Sequence, residues 1–159
     1  MLDVAIIGCG VVGAAAAYEL SHYPLHTAIF EAENDVADCT TKANSAILHA
    51  GYDPEPGTSM ARLNVRGSAL AKEICAALDV PYKQTGSFVV AFGPEQEKTL
   101  RRLYENGTVN GVPGLEILSG DEAREMEPNL SPEITAALHA PSAAIVSPWA
   151  VSYTHLRAH

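Results

Sequence analysis

The chain has 159 residues, of which 47% are apolar and 18% charged, so it can form a packed core and disorder is not expected. Its net charge of -9 disfavours non-specific binding to nucleic acid or to an anionic membrane, because both need a basic face. No uninterrupted apolar run is long enough to span a bilayer. Residues 1–56 hold eight acids and one base, Lys42, so any phosphate group bound there must be held by backbone N–H groups and helix dipoles.

The opening of the chain predicts a βαβ unit and therefore a parallel sheet. LDVAII (2–7) is a short β-branched run typical of a buried strand, and the glycine-rich turn GCGVVG (8–13) follows it. The alanine-rich stretch from residue 13 to residue 23 favours a helix that ends before Pro24. HTAIFEAE (26–33) reads as the second strand.

The rest of the chain alternates short helices and strands without internal repeats. Residues 34–57 form a polar stretch without periodicity, which is typical of a functional loop. Helices are predicted over 58–78 and over 95–107, the second ending at Gly107, with a short third helix over 120–127. Strands are predicted over 87–92, 115–118, 134–140 and 143–147, and Ser147-Pro148 is typical of a helix start.

The cysteines and the N-terminus give no sign of an exported protein. Cys9, Cys39 and Cys75 are odd in number and irregularly spaced, which predicts reduced thiols rather than a disulfide framework or a CxxC metal motif. The apolar start lacks the basic region of a signal peptide and carries Asp3 instead. A cytoplasmic location and no metal are expected.

The spacing G-x-G-x-x-G, placed between a strand and a helix, predicts a dinucleotide-binding turn. Gly8 permits the tight turn, Gly10 allows a pyrophosphate to approach the backbone, and Gly13 lets the helix pack closely on the sheet. Glu31 ends the second strand, 18 residues after Gly13, and is placed to accept hydrogen bonds from a ribose diol. Its charge disfavours the 2′-phosphate of NADP.

The segment after the second strand resembles FAD-dependent oxidoreductases of the D-amino-acid oxidase (DAO) superfamily. The run TTKANSAILHAGYDPEPGTSMARLNVRG carries the resemblance, which continues through VPYKQTGSFVVAF and NGVPGLEILSGDEAREMEPNL to SPW and covers about residues 3–149. It is greatest to glycerol-3-phosphate dehydrogenases and L-2-hydroxyglutarate oxidases. In those families a Ser/Thr-rich turn lies beside the pyrophosphate and an N-S-x-x-x-H-A-G run lies beside the flavin ring.

The resemblance implies an α/β fold, with a Rossmann-like FAD-binding βαβ domain followed by the start of an α+β substrate domain. It places His49 near the isoalloxazine, as the candidate catalytic base, although a structural histidine is equally compatible with the sequence. Thr40 and Thr41 either hold the pyrophosphate or cap a short helix. The full expected set of cofactor-binding residues is Gly8, Gly10, Val12, Gly13, Glu31, Ala32, Thr40, Thr41, Lys42, Asn44, Ser45, His49 and Gly51.

The implied reaction is hydride transfer from a small hydroxy substrate to FAD, with sn-glycerol 3-phosphate going to dihydroxyacetone phosphate. Oxidation of L-2-hydroxyglutarate, or of an amino acid, is the alternative. The expected electron acceptor is a quinone, oxygen or another redox protein, and peripheral association of the full enzyme with a membrane stays open. An NAD-binding dehydrogenase or a non-catalytic nucleotide-binding protein are the competing classes.

The expected domain organisation is that of an N-terminal fragment. Residues 1–80 are expected to form the first part of the FAD-binding domain and residues 81–149 the first part of the substrate domain. The sequence never returns to complete the sheet, so this fragment alone is expected to be inactive. The stretch 150–159 lacks an amphipathic pattern, resembles translated adapter sequence, and is expected to be a non-native tail.

Overall fold

A computed structural model describes residues 1–157 of the chain, with the side chains of all of them except 153–155 and 157. The last two residues of the expected tail, 158–159, lie outside the described residues. Eight strands and five helices are present in the described part of the chain. In chain order they are β1 (Val4–Ile7), α1 (Val11–Leu20), β2 (Thr27–Phe30), β3 (Ile47–Leu48), α2 (Ser59–Ala77), β4 (Tyr82–Lys83), β5 (Ser87–Ala91), α3 (Pro94–Asn110), β6 (Glu116–Ser119), α4 (Gly120–Met126), β7 (Ala136–Ala140), β8 (Ala144–Val146) and α5 (Pro148–Arg157).

The chain divides into two compact units that are not contiguous in sequence. The first comprises 1–47, 72–82 and 146–159, and the second comprises 48–71 and 83–145. The expected boundary after residue 80, between an FAD-binding domain and a substrate domain, stays a prediction. The short strands β3, β8 and β4 form a three-stranded sheet in that order.

The first unit contains the predicted βαβ element. Strands β1 and β2 pair in parallel, in a register that joins Val4 to Thr27 and Ile7 to Phe30. A Cβ atom added to Gly13 would lie 2.0 Å from the carbonyl oxygen of Gly8, so the glycine allows α1 to lie directly against the end of β1. The prediction of a parallel βαβ unit with close helix packing at Gly13 is confirmed.

Helix α5 packs on α1 within the same unit. The Ser147 hydroxyl accepts a hydrogen bond from the N–H of Ala150 at 3.3 Å, which confirms that this serine starts a helix. Val151 packs against a buried cluster formed by Cys75, Leu78 and Val80. Helix α5 therefore includes the described part of the expected tail, whose foreign origin stays a prediction.

The second unit is built on an antiparallel sheet with the strand order β5-β7-β6. Helix α3 packs on this sheet and buries Leu100 and Leu103 against Leu138, which is fully buried in the central strand β7. Ser119 caps α4 in a complete capping box, in which its hydroxyl accepts from the N–H of Glu122 and its own N–H donates to the Glu122 carboxylate.

The predicted end of the second long helix at Gly107 is wrong. Helix α3 continues to Asn110 and ends at Gly111, which adopts a left-handed conformation with φ 83°. Gly107 is instead buried inside the helix, where an added Cβ would lie 2.3 Å from Leu115 Cδ1 and 2.8 Å from Tyr52 Cβ. This glycine serves the close approach of another segment and not the end of the helix.

Two helical glycines of the second unit, Gly107 in α3 and Gly67 in α2, predict opposite effects of substitution by alanine. Gly107→Ala should destabilise the fold by about 1–3 kcal/mol, because Tyr52 Cβ lies next to the backbone and cannot move aside. Gly67→Ala should stabilise it by about 1 kcal/mol, since nothing lies within 4 Å of the added Cβ and alanine favours helix. Denaturant unfolding of both variants measures the difference, and equal stabilities would contradict this account of α3.

Candidate functional site

The candidate nucleotide site is the turn formed by residues 8–11, between the end of β1 and the start of α1. Gly8 has a φ of +92°, a conformation that favours glycine, and this confirms the tight turn. Helix α1 begins after Gly10, which provides no side-chain cap. The N–H groups of the first turn and the positive end of the helix dipole are therefore arranged as in an anion-binding site.

Glu31 fixes this turn. One carboxylate oxygen accepts the N–H of Cys9 at 2.6 Å, and the other accepts the N–H of Ala32 at 2.7 Å and of Glu33 at 3.0 Å. The hydrogen bond from Glu33, followed by that from Cys9, holds the pKa of the Glu31 carboxyl below its usual value. Glu31 is therefore ionised at neutral pH, with its charge adjacent to the glycine-rich turn.

Thr41, which follows Val11 by 30 residues, contacts the same turn. Its Oγ1 accepts the N–H of Val11 at 3.0 Å, so it supplies the cap that Gly10 cannot provide. A Cβ on Gly10 would lie 3.0 Å from that oxygen, which shows how closely the threonine approaches. The capping role considered for Thr41 is thus present, but the helix that it caps is α1.

The remaining polar residues of the predicted set lie along the same irregular segment. Lys42 forms an ion pair with Asp38, which offsets the charge of the one base in residues 1–56. Asn44 donates its amide to the carbonyl of Thr41 and accepts the N–H of Ala46 at 2.7 Å. Thr40 and Ser45 are exposed, as are Val12 and Ala32.

The chemistry of the turn fits the pyrophosphate group of a dinucleotide. A pyrophosphate needs N–H donors at close range, and the glycine at position 10 leaves the backbone accessible to it. No metal ligand set is needed, and the described residues contain no group of three or more His, Cys, Asp or Glu that could hold a metal ion. None of the helices within residues 1–157 is long and apolar enough to cross a membrane.

His49 and Gly51 belong to the second unit, where they line a cavity of about 130 Å³. Tyr52, Asp53 and Asn64 contribute to the same cavity. His49 is exposed and Gly51 is buried, with a φ of +112°. An imidazole, a carboxylate and an amide around one small cavity can bind a polar substrate group and accept a proton from it.

Three residues that shape these sites were not predicted from the sequence: Cys9, Ala37 and Asn110. Cys9 donates its N–H to Glu31 and accepts the N–H of Ala37 at 3.0 Å. Burial, and then the Glu31 carboxylate, raise the pKa of the Cys9 thiol. Asn110 donates to the carbonyls of Gly51 and Pro54 from the end of α3. Cys9 and Ala37 form these bonds through their backbone, which leaves no signal in residue type. Asn110 contacts Gly51, which lies 59 residues earlier in the chain.

Comparisons with known proteins bear on the whole chain. The family model "DAO: FAD dependent oxidoreductase" matches residues 3–158. The glycerol 3-phosphate dehydrogenase of Caloramator mitchellensis is 53% identical over 149 residues, which are 94% of this chain and 31% of that protein. The mitochondrial L-2-hydroxyglutarate dehydrogenase of Homo sapiens is 38% identical over 128 residues, which are 79% of this chain and 28% of that protein.

A solved structure shares both sequence and fold with the chain. The dithionite-reduced L-alpha-glycerophosphate oxidase of Mycoplasma pneumoniae, with FAD bound, superposes with a TM-score of 0.92 at 31% identity. The match covers 99% of this chain and 42% of that one. The chain thus spans about 30% of the length of the curated relatives that it matches. By the match over residues 3–158, the chain belongs to the DAO family of FAD dependent oxidoreductases.

Proposed function

We propose that the protein containing this chain oxidises a small anionic hydroxy substrate, with sn-glycerol 3-phosphate as that substrate and FAD as the cofactor. The observation that carries the proposal is the hydrogen-bonded glycine turn of the βαβ unit, in a chain 53% identical to a glycerol 3-phosphate dehydrogenase. FAD, when bound, supplies the hydride acceptor. The electron acceptor is proposed to be a quinone, oxygen or another redox protein.

The pyrophosphate is proposed to lie at the start of α1, over Gly10 and beside Thr41. The Thr41 hydroxyl already accepts the N–H of Val11, so its own O–H proton is available for a phosphate oxygen. The N–H of Val12 belongs to the same first turn and adds a second donor. Lys42 and the exposed Thr40 and Ser45 complete the proposed phosphate side, with Asn44 shaping the loop that carries them.

Glu31 is proposed to bind the ribose of the adenosine half. An ionised carboxylate has about four acceptor positions, and three backbone N–H groups use three of them here. The remaining position lies on Oε2, the oxygen that accepts the N–H of Cys9, and it is available for a ribose hydroxyl. The negative charge of Glu31 repels a 2′-phosphate, which supports FAD or NAD over NADP.

His49 is proposed to accept the proton of the substrate hydroxyl at a ring nitrogen while the adjacent carbon gives up its hydride. An imidazole ring nitrogen that carries no proton is a good acceptor for a hydroxyl proton, and histidine is the most frequent general base in enzymes. Buried Gly51 is proposed to let the backbone pass close to the isoalloxazine ring. A side chain at this position would also collide with Val65.

L-2-hydroxyglutarate is the second candidate substrate, supported by the 38% identical relative.

Replacing the Thr41 hydroxyl is expected to weaken FAD binding. In Thr41→Val the N–H of Val11 loses its acceptor and the phosphate loses a donor, so the Kd for FAD should rise about tenfold. Thr41→Ser keeps the hydroxyl and should stay within about threefold of the wild type. Titration of the complete apoprotein with FAD, followed by flavin fluorescence, measures both. Equal Kd values for the valine variant and the wild type would contradict the proposed pyrophosphate site.

The substrate is tested by anaerobic bleaching of the flavin in the complete protein. Glycerol 3-phosphate should remove the visible flavin absorbance, because hydride transfer reduces the ring. Bleaching by L-2-hydroxyglutarate alone would select the second candidate. Bleaching by neither compound would contradict both.

The 159-residue chain expressed by itself is expected to bind FAD weakly and to show no turnover. The parallel sheet beside the glycine turn has two strands in the described residues, and Ile7 and Phe30 on it are 82% and 51% exposed. Such a small sheet is marginal as a support for a large cofactor. Gel filtration of the FAD-loaded chain tests this, and a stoichiometric yellow cofactor that stays with the protein would contradict it.

A further inference from the structure

The end of α3 holds the backbone of residues 49–54, the segment that contains His49 and Gly51. The Nδ2 of Asn110 donates to the carbonyl of Gly51 at 3.0 Å and to that of Pro54 at 2.9 Å. Asn110 is partly buried, and these two bonds use both hydrogens of its amide. One side chain therefore fixes two carbonyls that lie three residues apart.

The held segment has no regular structure of its own. Strand β3 ends at Leu48 and helix α2 begins at Ser59, so the intervening carbonyls need partners from elsewhere. Gly51 is also tightly enclosed, since an added Cβ would lie 2.6 Å from Val65 Cγ2 and 3.3 Å from Asn64 Oδ1. A buried, irregular backbone in this position depends on specific hydrogen bonds to keep one conformation.

Gly107 brings α3 close enough for these bonds. It lies three residues before Asn110, and its missing side chain allows Tyr52 to approach the helix backbone directly. Tyr52, Gly51 and His49 line the same cavity of about 130 Å³. The end of α3 therefore holds the part of the segment that lines the cavity, since Gly51 and Pro54 are both among the lining residues.

We propose that Asn110 is a positioning residue for the reaction: by fixing the carbonyls of Gly51 and Pro54, it holds residues 49–54 in the conformation that presents His49 and Gly51 to flavin and substrate. This rests on the proposed function, because that function gives the segment its role at the flavin. Asn110 itself touches neither cofactor nor substrate in this account. It sets the geometry of the groups that do.

The test compares Asn110→Asp with Asn110→Ala in the complete FAD-loaded protein, with Asn106→Asp as the charge control on the same helix. The aspartate has the size of asparagine but turns a donor into a carboxylate that faces two carbonyl oxygens. When protonated at acid pH, it regains one O–H donor. Alanine has no donor at any pH and adds no charge, so it also carries the test if the aspartate variant does not fold.

Three readouts separate positioning from a purely structural role. We expect amide hydrogen exchange in residues 49–54 to be at least about tenfold faster in both Asn110 variants at neutral pH. The visible circular dichroism of the bound flavin should change, and kcat should fall about tenfold with a much smaller change in KM. Lowering the pH should partly restore the aspartate variant and not the alanine variant, while Asn106→Asp should match the wild type throughout.

Unchanged exchange in residues 49–54 would overturn the inference, because Asn110 would then not hold the segment. Faster exchange with an unchanged flavin signal and unchanged kcat would also overturn it, since the role would be purely structural. Either result, obtained in a wild-type protein that binds and reduces FAD normally, leaves the proposed function intact. A wild-type protein that binds no FAD would instead contradict the proposed function, and this inference with it.

Discussion

Three hydrogen bonds to the backbone of residues 9–11 determine the form of the glycine turn. Glu31 accepts the N–H of Cys9, the carbonyl of Cys9 accepts the N–H of Ala37, and Thr41 accepts the N–H of Val11. Each partner comes from a part of the chain that follows α1, so the turn is complete only after β2 and the next segment have folded back. The close approach of Gly13 to Gly8 adds the steric limit that keeps α1 against the strand. The form of the proposed pyrophosphate site depends on all four contacts.

This arrangement supplies a site for the proposed pyrophosphate within an acidic part of the chain. Backbone N–H groups and a helix dipole give a positive potential without any cationic side chain. Lys42 adds little net charge, because it is paired with Asp38. The carboxylate of Glu31 accepts three backbone N–H groups, which partly balance its charge beside the turn.

The sequence predicted the elements whose signals are local. The parallel βαβ unit followed from glycine spacing and β-branched runs, and strands β5 and β7 followed from their apolar runs. The end of α3 was misjudged because glycine at a helix end and glycine at a close contact look alike in sequence. Tyr52, 55 residues before Gly107, decides between the two. The two-residue strands β3 and β4 are too short to have any periodic pattern, and Ala37, with φ 59°, has no residue type that signals its conformation. The residues of the candidate site could be proposed from motifs. Most of the hydrogen bonds that shape the site join a side chain to a backbone N–H or C=O group far away in sequence, and backbone groups leave no signal in residue type.

The burial of Cys9 has a consequence for the chemical stability of the glycine turn. Thiols react with oxidants as thiolates, and both burial and the Glu31 carboxylate raise the pKa of Cys9. The cysteine therefore favours the protonated thiol, the less reactive form, between the two glycines of the turn. Oxidation of that buried sulfur would place a polar group within the turn proposed to bind the pyrophosphate. Burial, and then the Glu31 carboxylate that orders the turn, thus both keep its only sulfur in the less reactive thiol form.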